Sequence, residues 1–285
     1  MNLIDGKKIA SEILDSLSVR VEKFHRKIGL AFLLVGDNAA SLAYVRMKKK
    51  ACAQVGLHSI VQEFAADTNQ DVLLRSIDAL NEDAQIDGIL VQLPLPSHLD
   101  TLAVTRSIIP EKDVDGFHPI NLGKVLLGEE GGFPPCTPRG VQLLLEKTVP
   151  IEGKHVVIVG RSNIVGKPLA ALLVQKKRGA NATVTIAHSQ SEHLAEITKS
   201  ADVLVAAIGQ PRFIRKEMVR PGCAVIDVGI NRIQDANGQP RLVGDVDFEA
   251  VAPIASWITP VPGGVGPMTI AMLLQNTVDG AMRRG

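Results

Sequence analysis

Apolar residues fall along this chain in two alternating registers. Short, almost wholly apolar runs are separated by longer stretches in which apolar positions recur every three or four residues. In the first half this pattern predicts a helix over Lys7 to Lys27, a strand over Leu30 to Val35, a helix from about Ala39 to Gln54 and a strand over His58 to Phe64. A helix over Gln70 to Asn81 and a strand over Gly88 to Gln92 follow. In the second half a short helix over Arg139 to Lys147 precedes strands at His155 to Val159, Thr183 to Ala187, Val203 to Ala206 and Ala224 to Val228. Strands that are apolar on both faces and separated by helices belong to parallel sheets covered on both sides. The expectation is an α/β protein of two lobes with a cleft between them. Between the halves, Ile109 to Pro138 is dense in Gly, Pro and Asp and reads as a connector, a kind of segment that is usually functional or a linker.

Composition narrows the picture. With 285 residues and 46% hydrophobic content, the chain can supply a core for each of two domains. Its 31 basic and 30 acidic residues nearly balance, and no basic stripe interleaved with aromatics is present, so a nucleic-acid partner is not expected. Cys52, Cys136 and Cys223 are scattered, with no C-x-x-C pair and no His at ligand spacing. That argues against a disulfide framework or a metal site and fits a reducing compartment, with core packing as the role of most of them. No apolar run approaches the roughly 20 residues a membrane span needs, and no signal-peptide core follows the first charges. A cytoplasmic protein with no membrane partner is the expectation.

Three stretches carry candidate chemistry. Val261 to Thr269 reads V-P-G-G-V-G-P-M-T just ahead of a helical C-terminus. Proline fixes φ and glycine permits close backbone approach, so the segment reads as a rigid backbone surface against a ligand or as a structural turn. The second is the strand His155–Val159 running into Gly160-Arg161-Ser162-Asn163-Ile164-Val165-Gly166-Lys167-Pro168. A buried strand, a glycine-bounded turn and a helix start form a dinucleotide cradle, in which free N–H groups at the helix start hold a pyrophosphate. Ser162 replaces the second glycine of G-x-G-x-x-G and the last spacing is longer, so the motif alone is weak. The next strand ends Ala187-His188-Ser189, with no acid for a ribose 2′-OH, while Arg161 can reach that ribose. Both features favour NADP over NAD.

The third is Tyr44-x-x-x-Lys48, which puts the chain's one tyrosine and a lysine on one helix face. Gln92 ends the third strand, and Asp113 and Asp115 follow in Pro110-Glu111-Lys112-Asp113-Val114-Asp115-Gly116. Ligands in open α/β sheets bind beyond the carboxyl ends of the strands, and these groups converge there. If burial draws its pKa toward neutrality, Lys48 beside Gln92 is a candidate acid/base; Lys49 and Lys50 read as a solvated face. Tyr-x-x-x-Lys also occurs in short-chain dehydrogenases, but there the pair follows the nucleotide loop, and here it precedes it.

Taken together, Tyr44-x-x-x-Lys48, Val91-Gln92-Leu93-Pro94-Leu95-Pro96, Pro110 to Gly116, Gly160 to Pro168 and Pro262 to Thr269 closely resemble the bifunctional methylenetetrahydrofolate dehydrogenase/cyclohydrolase family. The resemblance runs in order from Asp5-Gly6 to the last helix. It implies a catalytic, folate-binding domain over 1–138, with the helix of 267–285 packing back on it, and a Rossmann-type NADP-binding domain over 139–266. It implies that Lys48 is the key catalytic residue, that Gln92 orients it, that Tyr44 packs on the folate aminobenzoate and that Asp115 binds the pterin edge. Pro262 and Gly263 would line the folate site in the inter-lobe cleft. Gly160, Arg161, Ser162, Ser189 and Ile230 would contact NADP, although Gln175 to Asn181 reads as longer than in some relatives and loosens the match at Ser189. A homodimer, no metal and tetrahydrofolate derivatives as small-molecule partners are further implications. Two alternatives remain open on the residues: a nucleotide-sensing module without turnover, and a dehydrogenase lacking the hydrolytic step.

Overall fold

A computed structural model describes residues 2–234 and 238–285. The chain opens with β1 (Asn2–Leu3) and α1 (Gly6–Glu22). Then β2 (Gly29–Val35), α2 (Ala39–Val55), β3 (His58–Phe64), α3 (Gln70–Glu82) and β4 (Gly88–Val91) alternate. Three helices follow, α4 (Thr101–Ser107), α5 (Pro119–Leu127) and α6 (Cys136–Thr148). The next alternation is β5 (His155–Val159), α7 (Gly166–Leu173), β6 (Thr183–Ala187), α8 (Leu194–Lys199), β7 (Val203–Ala206) and β8 (Ala224–Asp227). Strands β9 (Asn231–Gln234) and β10 (Pro240–Val243), helix α9 (Phe248–Val251), strand β11 (Trp257–Ile258) and helix α10 (Val265–Arg284) complete the described elements.

Contacts divide the chain into two units, one of residues 11–136 and 270–285, the other of residues 1–10 and 137–269. In the first unit three parallel strands run in the order β3-β2-β4. All seven residues of β2 are buried, which is why its sequence shows no polar alternation. Leu73, Ile77 and Leu80, spaced at one helix face of α3, pack with Ala31, Leu33, Ile89 and Val91 in the core. The C-terminal helix contributes from residue 270 onward: Asn276 Nδ2 donates to Val114 O (2.9 Å) and Pro134 O (3.1 Å).

In the second unit a parallel sheet of six strands, among the described residues, has the order β1-β11-β8-β7-β5-β6. Strand β5 has β6 on one side and β7 on the other, so the sheet reverses its direction of growth there, the point at which open α/β sheets bind ligands. Its core gathers Val157, Val159, Leu204, Val225, Ile258 and their neighbours. Strands β9 and β10 form a separate antiparallel pair.

Several boundaries depart from the sequence expectations. The first helix stops at Glu22 rather than Lys27: Phe24 N closes the final turn on Val21 O (3.0 Å), and the Arg26 guanidinium lies over the Phe24 ring. The connector expected over Ile109 to Pro138 contains α5, started by the His118 side chain and Pro119 and stopped by Gly128 in the left-handed conformation. Helix α6 starts at Cys136 rather than Arg139, because Pro138 is tolerated in a first turn. The first residues pair with β11 and so belong with the six-stranded sheet. Among the described residues no helix is long and apolar enough to cross a membrane.

Candidate active site

In the first unit the carboxyl ends of β2 and β4 frame the site. Helix α2 starts after Gly36-Asp37, with Asn38 as its cap: Asn38 Oδ1 accepts from Ala40 N (3.0 Å) and Ser41 N (3.1 Å). The helix therefore begins at a fixed place above β2, and its inward face follows from helical spacing. Ser41, Val45, Lys48 and Cys52 are buried, whereas Lys49 and Lys50 are exposed. Only one of three consecutive lysines turns inward, with 8% of its surface exposed.

That lysine meets Gln92, the residue just past β4. Lys48 Nζ donates to Gln92 Oε1 at 3.0 Å. Gln92 is itself held twice: its backbone N–H bonds Leu33 O (2.9 Å) and its Nε2 donates to Leu93 O (2.7 Å). These bonds fix the amide so that its oxygen, not its nitrogen, faces the ammonium. Tyr44, one turn earlier on α2, is half-buried, and burial raises its hydroxyl pKa, which keeps it neutral and able to stack or donate. Burial also pushes the thiol of Cys52, one turn after Lys48, up to about 12.

Asp115 enters from the segment after α4. Burial raises its pKa, while the positive charge of Lys48 and a hydrogen bond with Cys136 oppose the rise. Cys136 is one of the three cysteines for most of which the sequence suggests core packing. It is buried, its thiol pKa is pushed well above the ordinary value by burial and then by the Asp115 charge, and Asn276 Nδ2 lies 3.7 Å from its sulfur. At the start of α6 the neutral thiol donates to Val114 O (3.3 Å), beside the Asp115 carboxylate.

Two neighbours hold the Asp115 segment: Lys112, which sequence reasoning did not place, and Asp113, which it expected among the converging ligand groups but which binds the chain itself. Asp113 is buried and accepts from His118 N (2.8 Å), Phe117 N (3.2 Å) and Asn121 Nδ2 (2.8 Å). Burial lifts its carboxyl to about 7 in spite of these donors. Lys112 Nζ donates to Leu80 O (2.9 Å), Asn81 O (2.7 Å) and Asp83 O (2.7 Å), carbonyls at the end of α3. The signal was present: a charged run, Glu111-Lys112-Asp113, with two members buried, has to carry its own partners.

In the second unit the glycine-bounded loop of residues 160–166 sits at the reversal point between β5 and β7. Gly160 has φ +135°, and a Cβ there would collide with Ala207 O; a Cβ on Gly166 would collide with Gly160 O. Both glycines are therefore set by backbone packed on backbone, which leaves a cradle without side chains. The helix start is less bare than the sequence suggested. Ser162 Oγ accepts from Val165 N (3.1 Å) and Gly166 N (3.4 Å), so the hydroxyl occupies the first donors of α7 and keeps its own hydrogen for a ligand. Arg161, Ser189 and Ile230 are exposed. Pro262 is exposed, and Gly263, at φ +113°, accepts from Lys7 N (2.9 Å). A Cβ on Gly6 would strike Gly264 O and one on Gly264 would strike Pro260 O and Thr259, so neither could carry a larger residue without a shift.

Similarity to known proteins falls in two consecutive blocks of sequence. Residues 4–115 match the model of the tetrahydrofolate dehydrogenase/cyclohydrolase catalytic domain, and residues 135–285 match that of its NAD(P)-binding domain. The bifunctional protein FolD of Prosthecochloris aestuarii is 53% identical over 291 residues, covering 99% of this chain and 99% of that one. The crystal structure of the bifunctional methylenetetrahydrofolate dehydrogenase/cyclohydrolase FolD from Campylobacter jejuni is 47% identical, covers 100% of both chains and superposes with a TM-score of 0.94. A Trypanosoma brucei FolD solved with NADP cofactor and an inhibitor is 40% identical, with a TM-score of 0.92 over 99% of this chain and 97% of that one.

Proposed function

Because this chain belongs to the tetrahydrofolate dehydrogenase/cyclohydrolase family, we propose that it oxidises 5,10-methylenetetrahydrofolate with NADP+ and hydrolyses the methenyl product to 10-formyltetrahydrofolate. The observation that carries the reading is the buried Lys48 held on Gln92 at 3.0 Å with Asp115 beside it. An ammonium positioned by an amide oxygen and balanced by a carboxylate can deliver and recover a proton at a substrate atom.

NADP, when bound, supplies the hydride acceptor. The residues present suit it: a glycine cradle with no side chains, a Ser162 hydroxyl with its hydrogen free, an Arg161 guanidinium in solvent and no acid after β6. Arg161 is proposed to bind the 2′-phosphate, with Gly160, Ser162, Ser189 and Ile230 lining the rest of the cofactor.

For the folate, Asp115 is proposed to accept hydrogen bonds from the pterin edge and Tyr44 to stack on the aminobenzoate ring. Pro262 and Gly263 are assigned to the same ligand. In the first reaction the methylene bridge loses hydride, and orientation of the two reactants dominates. In the second, water adds to the methenyl carbon and the bond to N5 opens. Lys48 gives a proton to the departing nitrogen and is restored by the proton that the added water loses, while Gln92 keeps the ammonium aimed. Further parts of this reading are a homodimer acting in the cytoplasm and a supply of one-carbon units to purine synthesis. Three buried, unpaired cysteines support a reducing compartment.

The test is a spectroscopic assay of the purified protein with methylenetetrahydrofolate and NADP or NAD, following methenyl formation and decay. NADP-dependent formation followed by enzyme-dependent decay is the expected result. Formation without accelerated decay would reduce the protein to a dehydrogenase, and neither would leave a nucleotide-binding module.

A further inference from the structure

Two acids in the second unit are more deeply buried than any proposed catalytic group, and the reaction outlined above does not use them. Asp227 ends β8 with 3% of its surface exposed, and Asp245, just past β10, has 0%. Asp227 Oδ1 accepts from Gly229 N (3.0 Å) and Asp245 N (2.9 Å), and Oδ2 from Val246 N (2.9 Å). Its own N–H donates to Thr259 Oγ1 (2.7 Å). Asp245 Oδ2 accepts from Ile208 N (2.6 Å) and Gly209 N (2.9 Å), and Oδ1 from Asn231 Nδ2 (2.8 Å). A Cβ on Gly229 would strike the Asp245 carboxylate, and one on Gly244 would strike that of Asp227. The two carboxylates are therefore wedged between glycines, and each of these bonds goes to an N–H group.

What the bonds reach gives them a purpose. Gly229 is held by Asp227 and the Asn231 side chain by Asp245, so Ile230 sits between two pinned residues, yet 43% of its own surface is exposed. Ile208 and Gly209, held by Asp245, follow Ala207, whose carbonyl abuts Gly160 and whose N–H bonds Val159 O (2.9 Å). One pair of acids thus sets the loops after β7 and β8 on which the glycine cradle and Ile230 depend. Holding a bare apolar side chain rigidly in solvent has no value for stability. It has value if a flat ring must rest on it.

We infer that Asp227 and Asp245 are positioning residues for hydride transfer, fixing Ile230 and the Gly160 turn against the nicotinamide end of the cofactor. This rests on the assignment of Ile230 and Gly160 to NADP made above. Rate should be more sensitive than binding, because a displacement of about 1 Å in a reacting pair costs on the order of a hundredfold, whereas phosphate contacts elsewhere sustain affinity.

Three variants test it, each assayed as a dehydrogenase with protiated and deuterated methylene substrate, and as a cyclohydrolase on methenyltetrahydrofolate supplied directly. In Asp227→Asn the new NH2 faces only N–H groups, so dehydrogenase kcat should fall about ten- to a hundredfold with a raised deuterium isotope effect. Asp245→Ala should do the same. Asp245→Asn should rescue, because its oxygen can keep Ile208 and Gly209 while the Asn231 amide turns to accept from the new NH2. Cyclohydrolase activity should remain within about twofold of wild type throughout. Equal loss of both activities in folded variants, unchanged dehydrogenase kcat, or no rescue by Asp245→Asn would overturn the inference. Should the first two fail to fold, Asn231→Ala decides, since it removes one donor from Asp245: loss of dehydrogenase alone supports the proposal, and no change overturns it. An inactive wild-type enzyme would instead sink the assignment of function, so the two failures are distinct.

Discussion

The two sheets solve one problem by opposite means. Each has a strand flanked on both sides by strands later in the chain, β2 by β3 and β4, β5 by β6 and β7, and each carries its candidate site at that reversal. Above β2 the site consists of side chains: Lys48 bonded to Gln92, Gln92 held in turn on Leu93 O, with Asp115 and the half-buried Tyr44. Above β5 its floor is backbone packed on backbone at Gly160 and Gly166, with the Ser162 hydroxyl at the helix start. A site of side chains is destroyed by taking atoms away, whereas a site of backbone is destroyed by adding them.

The strongest challenge to that contrast is subtraction at Lys48. Lys48→Met keeps the apolar stem and removes the amine, so cyclohydrolase activity should fall by about 10²- to 10⁴-fold, the usual share of a general acid/base. Some dehydrogenase activity should survive, because hydride transfer needs position first. Hydrolysis of supplied methenyltetrahydrofolate at the wild-type rate would remove Lys48 from the mechanism.

The matching addition is Gly160→Ala. Its φ of +135° and the Ala207 carbonyl leave no room for a methyl group, and strain of about 1–3 kcal/mol should displace the turn. Dehydrogenase KM for NADP should rise at least about tenfold while methenyl hydrolysis persists. Equal damage to both reactions would show that the two sites are not separable.

Asp115→Ala sharpens the side-chain half. Losing a charge-assisted contact should raise the folate KM about tenfold and lower turnover, with NADPH binding to the free enzyme unchanged by titration. Arg161→Ala sharpens the other half, because Arg161 is the one side chain there assigned to selectivity. NADP use should weaken about tenfold more than NAD use, and equal losses would deny it the 2′-phosphate.

The smallest effect concerns pH. Burial holds Asp113 at about 7 in the folded protein, above its ordinary value of 3.8. The folded state therefore binds more protons than the unfolded state between these values. The stability it contributes is complete below about 4 and lost as pH rises through about 7. Asp113→Asn should flatten the fall in melting temperature between pH 5 and 8, and an unchanged slope would refute the assignment.

Much of this was legible from residue pattern alone, because a buried parallel strand announces itself as an apolar run and a helix as a periodicity. Strands β2, β3, β5, β6 and β7 lie within a residue of their expected positions. What escaped notice lacks such a pattern. Strands β1 and β11 have two residues each and exist only because the sheet offers an edge. Strand β9 alternates half-buried and exposed residues and β10 is mostly exposed, so neither has an apolar run to betray it. Helix α5 was signalled by His118-Pro119 and Gly128, yet glycine and proline density spoke louder than the caps. In the site, Lys48 and Gln92 could be paired from strand and helix ends. The support from Cys136 and Asn276 could not, since the residues are 140 positions apart and meet only through tertiary packing.

Lys112 has a further use. With three carbonyls engaging its ammonium and its side chain buried, it is closed to amine-reactive reagents while the segment stays in place, unlike Lys49 and Lys50. Acylation of Lys112 would then require the segment to lift from the end of α3, carrying Asp115 with it. Its labelling rate, read by mass spectrometry with and without folate, would serve as a clock for local opening of the segment that carries Asp115.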